Sequence, residues 1–284
     1  MPEPRRTGRA VPPPEVRAAL APLLVRPATA AVLTDFDGTI SPIVTNPHEA
    51  RPLEGTGSVL AALARRFAEV AVVSGRSVPF LAEHLGIDLA ADPDHRVRLV
   101  GLYGLEQSWD GGPITRDPAA AAWQPAIDAA ASILRRDAPS GVLVEPKGLA
   151  VTVHWRRAPE AEGWVADAVA AEVARSGLRA HPGRFSVELR PPLDIDKGSV
   201  IRDLTGSCSA ACYFGDDLGD LPAFAALAAM RSGAVHTVSV AVLDAESDPA
   251  VAEAADVTVT GQGEALDALA WLAEAATGGS ASTD

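Results

Sequence analysis

Cysteine is nearly absent from this chain: Cys208 and Cys212 are the only two in 284 residues. Their spacing matches neither a redox pair nor a zinc knuckle, so both read as small apolar residues beside a strand. So few thiols fit a reducing cytoplasm. Aromatic residues are also scarce, at 5%, and positive charge is outweighed, with a net charge of −13. Together these argue against a nucleic-acid partner. An anionic substrate must therefore be drawn by local positive charge. No stretch reaches the ~18 consecutive apolar residues of a membrane span. Residues 1–14 carry three arginines and Pro12-Pro13-Pro14 but no apolar core of signal-peptide length, and read as a disordered lead-in.

What remains is ordinary for a globular protein, 48% hydrophobic and 21% charged, with length for one large or two moderate domains. The chain is organised around residues 31–40, Ala-Val-Leu-Thr-Asp-Phe-Asp-Gly-Thr-Ile. The apolar, β-branched run from Ala30 to Thr34 predicts a buried strand that delivers Asp35 and Asp37 at its end. Alternation puts both carboxylates on one side and Phe36 on the other, while Gly38 lets the backbone turn. Two such carboxylates need a cation between them or a proton on one. An Asx-type turn is the alternative for this string taken alone.

Three later stretches repeat the pattern of polar residues at strand ends or helix starts. Ser74-Gly75-Arg76 follows a short strand at Glu69 to Val73, where a hydroxyl and free N–H groups form an anion site or simply a helix cap. Asp196-Lys197-Gly198-Ser199 opens a helix to about Leu204. Gly215-Asp216-Asp217-Leu218-Gly219-Asp220 follows a strand at Ala211 to Phe214. Strands at Thr237 to Leu243 and Asp256 to Thr260, and a helix from Glu264 to Glu274, complete an alternating pattern. Such alternation predicts one doubly wound, mostly parallel α/β sheet with its ligands at the carboxyl ends of the strands.

Between about Leu99 and Arg190 the alternation stops. Helices at Ala119 to Arg136 and Ala161 to Arg175, and strands at Leu99 to Tyr103, Gly141 to Glu145, Leu149 to Trp155 and Arg184 to Leu189, predict an inserted α+β cap. The expected division is residues 15–100 and 191–277 for the core, 101–190 for the cap and 278–284 for a frayed tail.

Asp35-Phe36-Asp37-Gly38-Thr39, with the later motifs in order, resembles the haloacid dehalogenase-like phosphatases, whose core is Rossmannoid. Glu145-Pro146-Lys147-Gly148 with His154-Trp155-Arg156, Gly104-Leu105-Glu106, and Val187-Glu188 before Arg190-Pro191 resemble the trehalose-6-phosphate phosphatase branch. The resemblance spans nearly all of Ala30 to Leu272. It implies Mg²⁺-dependent hydrolysis of a sugar phosphate, with Asp35 as nucleophile forming an aspartyl-phosphate. Asp37 suits the duties of general acid and base. Ser74 donates to the phosphate with Arg76 beside it, and Lys197 serves the phosphate and Asp35 together. The family pattern implies Asp35, the carbonyl of Asp37 and Asp216 as metal ligands, with Asp217 and Asp220 behind them. It also implies Glu106, Lys147, His154 and Glu188 as sugar ligands. Two departures stand out: Tyr103 where the branch usually has His, and Gly219-Asp220-Leu221 where it usually has Thr-Asp-Glu. Another sugar phosphate, of the sucrose or mannosylglycerate kind, is the nearest alternative. A phospho-acceptor signalling domain is the alternative of another class, disfavoured by the insert and by Asp37. The expected protein is a cytoplasmic monomer with a small-molecule substrate and no membrane or nucleic-acid partner.

Overall fold

The structure, a computed structural model, describes residues 10–44, 46–89, 96–109, 112–183, 185–231 and 235–278. Most of the expected lead-in, residues 1–9, and the tail from 279 lie outside the described residues. A short helix α1 (Pro14–Leu20) buries Val16 and Leu20 and leads into β1 (Ala30–Thr34), α2 (Thr56–Ala64), β2 (Glu69–Val73) and α3 (Val78–Leu85). Then come β3 (Val97–Gly101), β4 (Glu106–Ser108) and β5 (Thr115–Arg116), followed by α4 (Pro118–Ala121) and α5 (Gln124–Asp137). The inserted sheet uses β6 (Leu143–Pro146), β7 (Val151–His154), β8 (Arg179–Gly183) and β9 (Ser186–Arg190), with α6 (Glu162–Ser176) between β7 and β8. The chain returns through α7 (Lys197–Thr205), β10 (Ala210–Gly215), α8 (Leu221–Arg231), β11 (His236–Leu243), α9 (Pro249–Ala254), β12 (Val257–Thr260) and α10 (Gly261–Gly278).

The large sheet has the order β12-β11-β10-β1-β2-β3-β4-β5, parallel from β12 to β3. β1 and β2 are buried at every position, because helices cover both faces and continuous apolar runs then satisfy both. Val32, Val72, Phe214 and Val240 face the layer of α2, α3 and α10. Leu33, Val73, Tyr213 and Ala241 face α7, α8 and α9. The four-stranded cap sheet, β6-β7-β9-β8, is antiparallel and packs Val151, Val153 and Leu189 on α5 and α6. Cys208 and Cys212 are free and buried, and burial pushes the Cys212 thiol up to about 12. No helix among the described residues is long and apolar enough to cross a membrane.

Four local differences from the sequence reading have physical causes. The strand expected to Tyr103 ends at Gly101, because Leu102 and Tyr103 turn left-handed with φ of 50° and 60°. The large sheet then runs on through the antiparallel pairs β3–β4 and β4–β5, so residues 101–116, expected in the cap, are built onto the core sheet. The single helix expected over Ala119 to Arg136 breaks at Trp123, since Pro125 lacks the N–H a continuous helix would require. β8 had no periodic signal; it is a mostly exposed edge strand containing Pro182, a place where proline is tolerated.

Lys197 is held in place by the packing of α7 against α8. A Cβ on Gly198 would lie 2.5 Å from the carbonyl oxygen of Pro222, a backbone atom that cannot swing aside. Alanine for glycine ordinarily favours a helix by up to ~1 kcal/mol, but overpacking of about 1–3 kcal/mol opposes it here. Gly198→Ala should therefore lower the urea midpoint at unchanged m-value. A midpoint at or above the wild-type value would show that the two helices part freely.

Candidate active site

The parallel strands β10, β1 and β2 end side by side, and the chemistry-bearing residues lie at those ends. Asp35 continues β1 by one residue, its N–H donating to the Phe214 carbonyl at 2.8 Å. Lys197 opens α7, whose N-cap Asp196 forms a reciprocal capping box with Ser199. The buried Lys197 Nζ lies 3.1 Å from Asp35 Oδ2 and 2.6 Å from Asp220 Oδ1. Asp220 is fully buried and also accepts from Tyr213 OH at 2.6 Å and from the N–H groups of Asp216 and Asp217 at 2.9 and 3.2 Å. It thus shapes the β10 loop and aims Lys197.

Asp216 is half-buried and accepts from Thr39 Oγ1 at 2.9 Å. Gly38, at φ of 80°, passes so close that a Cβ would sit 1.9 Å from Asp216 Oδ2. Only glycine fits that crossing of two loops. The Gly38 carbonyl is held from the other side by Gln262 Nε2 at 2.7 Å. Asp35, Asp216 and Asp220 offer oxygens within 4.8 Å of one another. Burial first, then repulsion from the neighbouring carboxylates, raises Asp35 and Asp216 well above the usual carboxylate range, with Lys197 opposing the rise. Asp220 already serves Lys197, Tyr213 and two backbone N–H groups, so Asp35 and Asp216 are the carboxylates with lone pairs to spare. This all-oxygen, charge-crowded cradle fits a hard divalent cation.

Asp37 is paired, through both its oxygens, with Arg76: Nε to Oδ2 is 2.6 Å and Nη2 to Oδ1 is 2.9 Å. The guanidinium rests 4.6 Å above the Phe80 ring, which packs edge-on against Phe36. Phe36 therefore supports from the core side the same pair that its neighbour Asp37 forms. Arg76 also donates to the Pro47 carbonyl at 2.9 Å and lies 3.8 Å from Glu145 of the cap. Ser74, buried past the end of β2, accepts the Arg76 N–H at 3.1 Å, and its hydroxyl proton has no acceptor among the described residues.

In the cap, Glu145, Thr152 and Glu188 lie in register across β6, β7 and β9. His154 Nε2 meets Glu145 Oε2 at 2.9 Å, and Lys147 Nζ lies 3.7 Å from Glu145 and 3.4 Å from Glu188. Glu188 also accepts from Thr152 Oγ1 at 3.0 Å and from Arg190. The structure therefore brings Lys147, His154 and Glu188 together. Glu106 does not join them: on β4, almost wholly buried, it accepts the Val78 N–H at the start of α3 at 2.6 Å and pairs with Arg116. Asp217 is exposed on the loop and caps the turn through Gly219.

Sequence reasoning missed Glu145 and Thr152 as members of the cap cluster, and Tyr213 and Gln262 as supports of the loops that follow β10 and β1. Thr152 was within reach of the pattern, because it shares a face of β7 with His154 two residues on. Tyr213 reads only as an apolar strand residue, and Gln262 carries no local signal.

The trehalose-phosphatase family profile matches residues 33–260. The chain belongs to the trehalose-phosphatase family. Within that family, the trehalose-phosphate phosphatase of Mycolicibacterium paratuberculosis is 39% identical over 222 residues, 75% of this chain and 54% of its own length. That of Mycobacterium tuberculosis strain H37Rv is 37% identical over 204 residues, 68% of this chain and 50% of its own length. The chain spans about half the length of the curated relatives it matches. Among solved folds, a trehalose-6-phosphate phosphatase related protein aligns with a TM-score of 0.71 at 23% identity, over 86% of this chain and 97% of that one. The C-terminal domain of the C. albicans trehalose-6-phosphate phosphatase aligns with a TM-score of 0.70 at 21% identity, over 94% of this chain and 99% of that one. The doubly wound core with its α+β insert is thus the fold of the family.

Glu145 offers a pH test of the cap cluster. Burial favours its neutral form, but the His154 hydrogen bond and the charges of Lys147 and Arg76 outweigh it and hold the carboxyl at about 2, against an ordinary 4.5. A depressed carboxylate contributes stability that is complete above its unfolded value and is lost as pH falls through the folded one. The melting temperature of wild type should therefore exceed that of Glu145→Gln at neutral pH, and the gap should close between about pH 4.5 and about pH 2. A gap independent of pH would remove the charge pairing as its cause.

Proposed function

We propose that the chain is a Mg²⁺-dependent phosphatase that hydrolyses trehalose 6-phosphate to trehalose and phosphate. The observation carrying this reading is the placement of Asp35 against Lys197 and Asp216, with the Glu145–Lys147–Glu188 cluster of the cap linked through Arg76 to the neighbouring Asp37. Asp35 attacks phosphorus while the bond to the sugar oxygen breaks, giving an aspartyl-phosphate and the free sugar. Asp37 delivers the proton that the departing alkoxide requires, then removes one from the water that hydrolyses the acyl phosphate. Both Asp37 oxygens are taken by Arg76, so proton delivery requires that pair to open. Lys197 balances charge on Asp35 and the phosphoryl group, and Ser74 donates its free proton to a phosphoryl oxygen. Asp35, Asp216 and the carbonyl of Asp37 would hold Mg²⁺, which supplies neutralisation of the charge that gathers between nucleophile and phosphate. Lys147, His154 and Glu188 bind sugar hydroxyls. Glu106, committed to α3, supports the site from behind. On this reading the chain acts as a monomer on a small molecule. The free thiols support a cytoplasmic setting, and the acidic charge speaks against nucleic acid.

The direct test is phosphate release from trehalose 6-phosphate beside sucrose 6-phosphate and glucose 6-phosphate, with and without Mg²⁺. Trehalose 6-phosphate should be the best substrate, EDTA should abolish release reversibly, and Asp35→Asn should reduce it to background with the fold intact. Equal rates on all three sugars would sink the substrate assignment, and activity in EDTA would sink the metal.

The role of Asp37 separates from that of Asp35 by choice of leaving group. Asp37→Asn should slow sugar-phosphate hydrolysis by ~10² to 10⁴-fold, the usual worth of general acid help. An aryl oxyanion leaves unaided, so rapid mixing with an aryl phosphate should give a burst of about one product per enzyme, then slow turnover for want of the base. If the first aryl turnover slowed as much as the sugar reaction, the acid would lie elsewhere.

A further inference from the structure

Tyr103 is left without a task by the account above. It follows Leu102 in left-handed backbone, a region that non-glycine residues seldom occupy. Its N–H donates to the Ser74 carbonyl at 3.0 Å, and the Leu102 N–H to that of Arg76 at 2.9 Å, so the turn is stitched to the Ser74–Arg76 segment. A Cβ on Gly75 would lie 2.6 Å from the Tyr103 hydroxyl oxygen. The hydroxyl therefore rests directly on that segment, and glycine at 75 is what admits it. The guanidinium carbon of Arg190 lies 3.4 Å from the ring centroid, and Arg190 pairs with Glu188 of the cap. One aromatic residue thus touches the anion-binding turn of the core at one end and carries the cap's sugar-facing strand on its ring.

The hydroxyl has no hydrogen-bonding partner among the described residues, although Tyr103 is half-buried. Tyr213, the chain's other tyrosine, bonds to Asp220 instead. Desolvation, aided by the charge of Glu188, pushes the Tyr103 phenol up, with Arg190 and Lys197 opposing. It is an O–H donor at neutral pH. The Tyr103 hydroxyl rests on the turn that carries Ser74, so both hydroxyls can donate to an oxygen anion bound at that turn. We propose that the Tyr103 hydroxyl is a substrate-binding group that donates to a phosphoryl oxygen of the bound sugar phosphate. The assignment rests on the phosphatase reading, and through Arg190 it places the phosphate grip in contact with the cap.

Tyr103→Phe removes the hydroxyl and keeps the ring under Arg190. A hydrogen bond to a charged acceptor corresponds to roughly 10- to 100-fold. The variant should lose that factor in kcat/KM for trehalose 6-phosphate and for an aryl phosphate alike, and inorganic phosphate should inhibit it more weakly by a similar factor, with melting unchanged. Kinetics within about twofold of wild type, or a loss confined to the sugar substrate, overturns the proposal. If the wild-type chain leaves trehalose 6-phosphate untouched, the substrate reading fails separately. Titration of ¹³C-tyrosine-labelled protein with inorganic phosphate then decides: the Tyr103 resonance, identified by its loss in Tyr103→Phe, should move more than that of Tyr213. A Tyr103 resonance unmoved by phosphate overturns the proposal.

Discussion

Lys197 is a buried cation set among Asp35, Asp216, Asp217 and Asp220, and the geometry of the site depends on it. Burial favours its neutral form; Asp220, then Asp35, more than reverse that and hold it charged. Its position at the start of α7 adds a second difficulty, since the N-terminal end of a helix dipole repels cations. The close contact with Asp220 offsets both, and removing one partner of such a buried pair typically costs about 3–5 kcal/mol. Asp220 is held in turn by Tyr213 and by the backbone of the β10 loop. Position is thus passed from a buried strand residue to a carboxylate, to the lysine, and finally to Asp35. One lysine leaves Asp35 and Asp216 mutually repelling, which is why the same cradle is suited to a further, divalent charge.

The second organising contact joins core to cap. Arg76 grips Asp37 with two hydrogen bonds, rests on Phe80, and reaches Glu145 at 3.8 Å. Arg190 reaches the opposite way, from cap to core, over Tyr103. Both links are charged and both end on residues beside the strand-end turn at Ser74. Polar contacts of this kind can exchange partners when a ligand enters, while beside them Leu149 of the cap packs with Leu102 and Leu105 in an apolar cluster that resists such change.

The core was legible because a parallel sheet covered on both faces leaves a plain trace: apolar runs at Ala30 to Thr34 and Ala210 to Phe214, each ending abruptly in acidic residues. Asp35, Asp216 and Lys197 meet where the doubly wound pattern predicts. The cap was less legible for opposite reasons. β8 is mostly exposed and so lacks alternation, and β4 and β5 are too short to declare which sheet they join. Glu106 shows the limit of motif reading. Its neighbours match a sugar-binding loop, yet its carboxylate is engaged by Val78, and whether a side chain faces a cleft or a helix end depends on pairing that no local pattern carries. Arg76 is similar: a positive charge beside Ser74 suggests phosphate, while the fold supplies Asp37 as a nearer anion.

On the proposed reading, the cap cluster would choose one sugar over another without a hydrophobic pocket. Glu145, Thr152 and Glu188 are buried, and each is satisfied by a neighbour in the cluster. A sugar entering there must replace such contacts with hydroxyls of matching position. One that fails leaves a buried polar group unpaired, at about 1–3 kcal/mol each. Discrimination built on such unmet hydrogen bonds is steep, whereas a greasy pocket distinguishes sugars of similar size only weakly. The burial that makes the cluster costly to form is therefore the same property that would let it discriminate. The large sheet beneath, apolar along β1 and β10 and on both of its packed faces, supplies stability that offsets this cost.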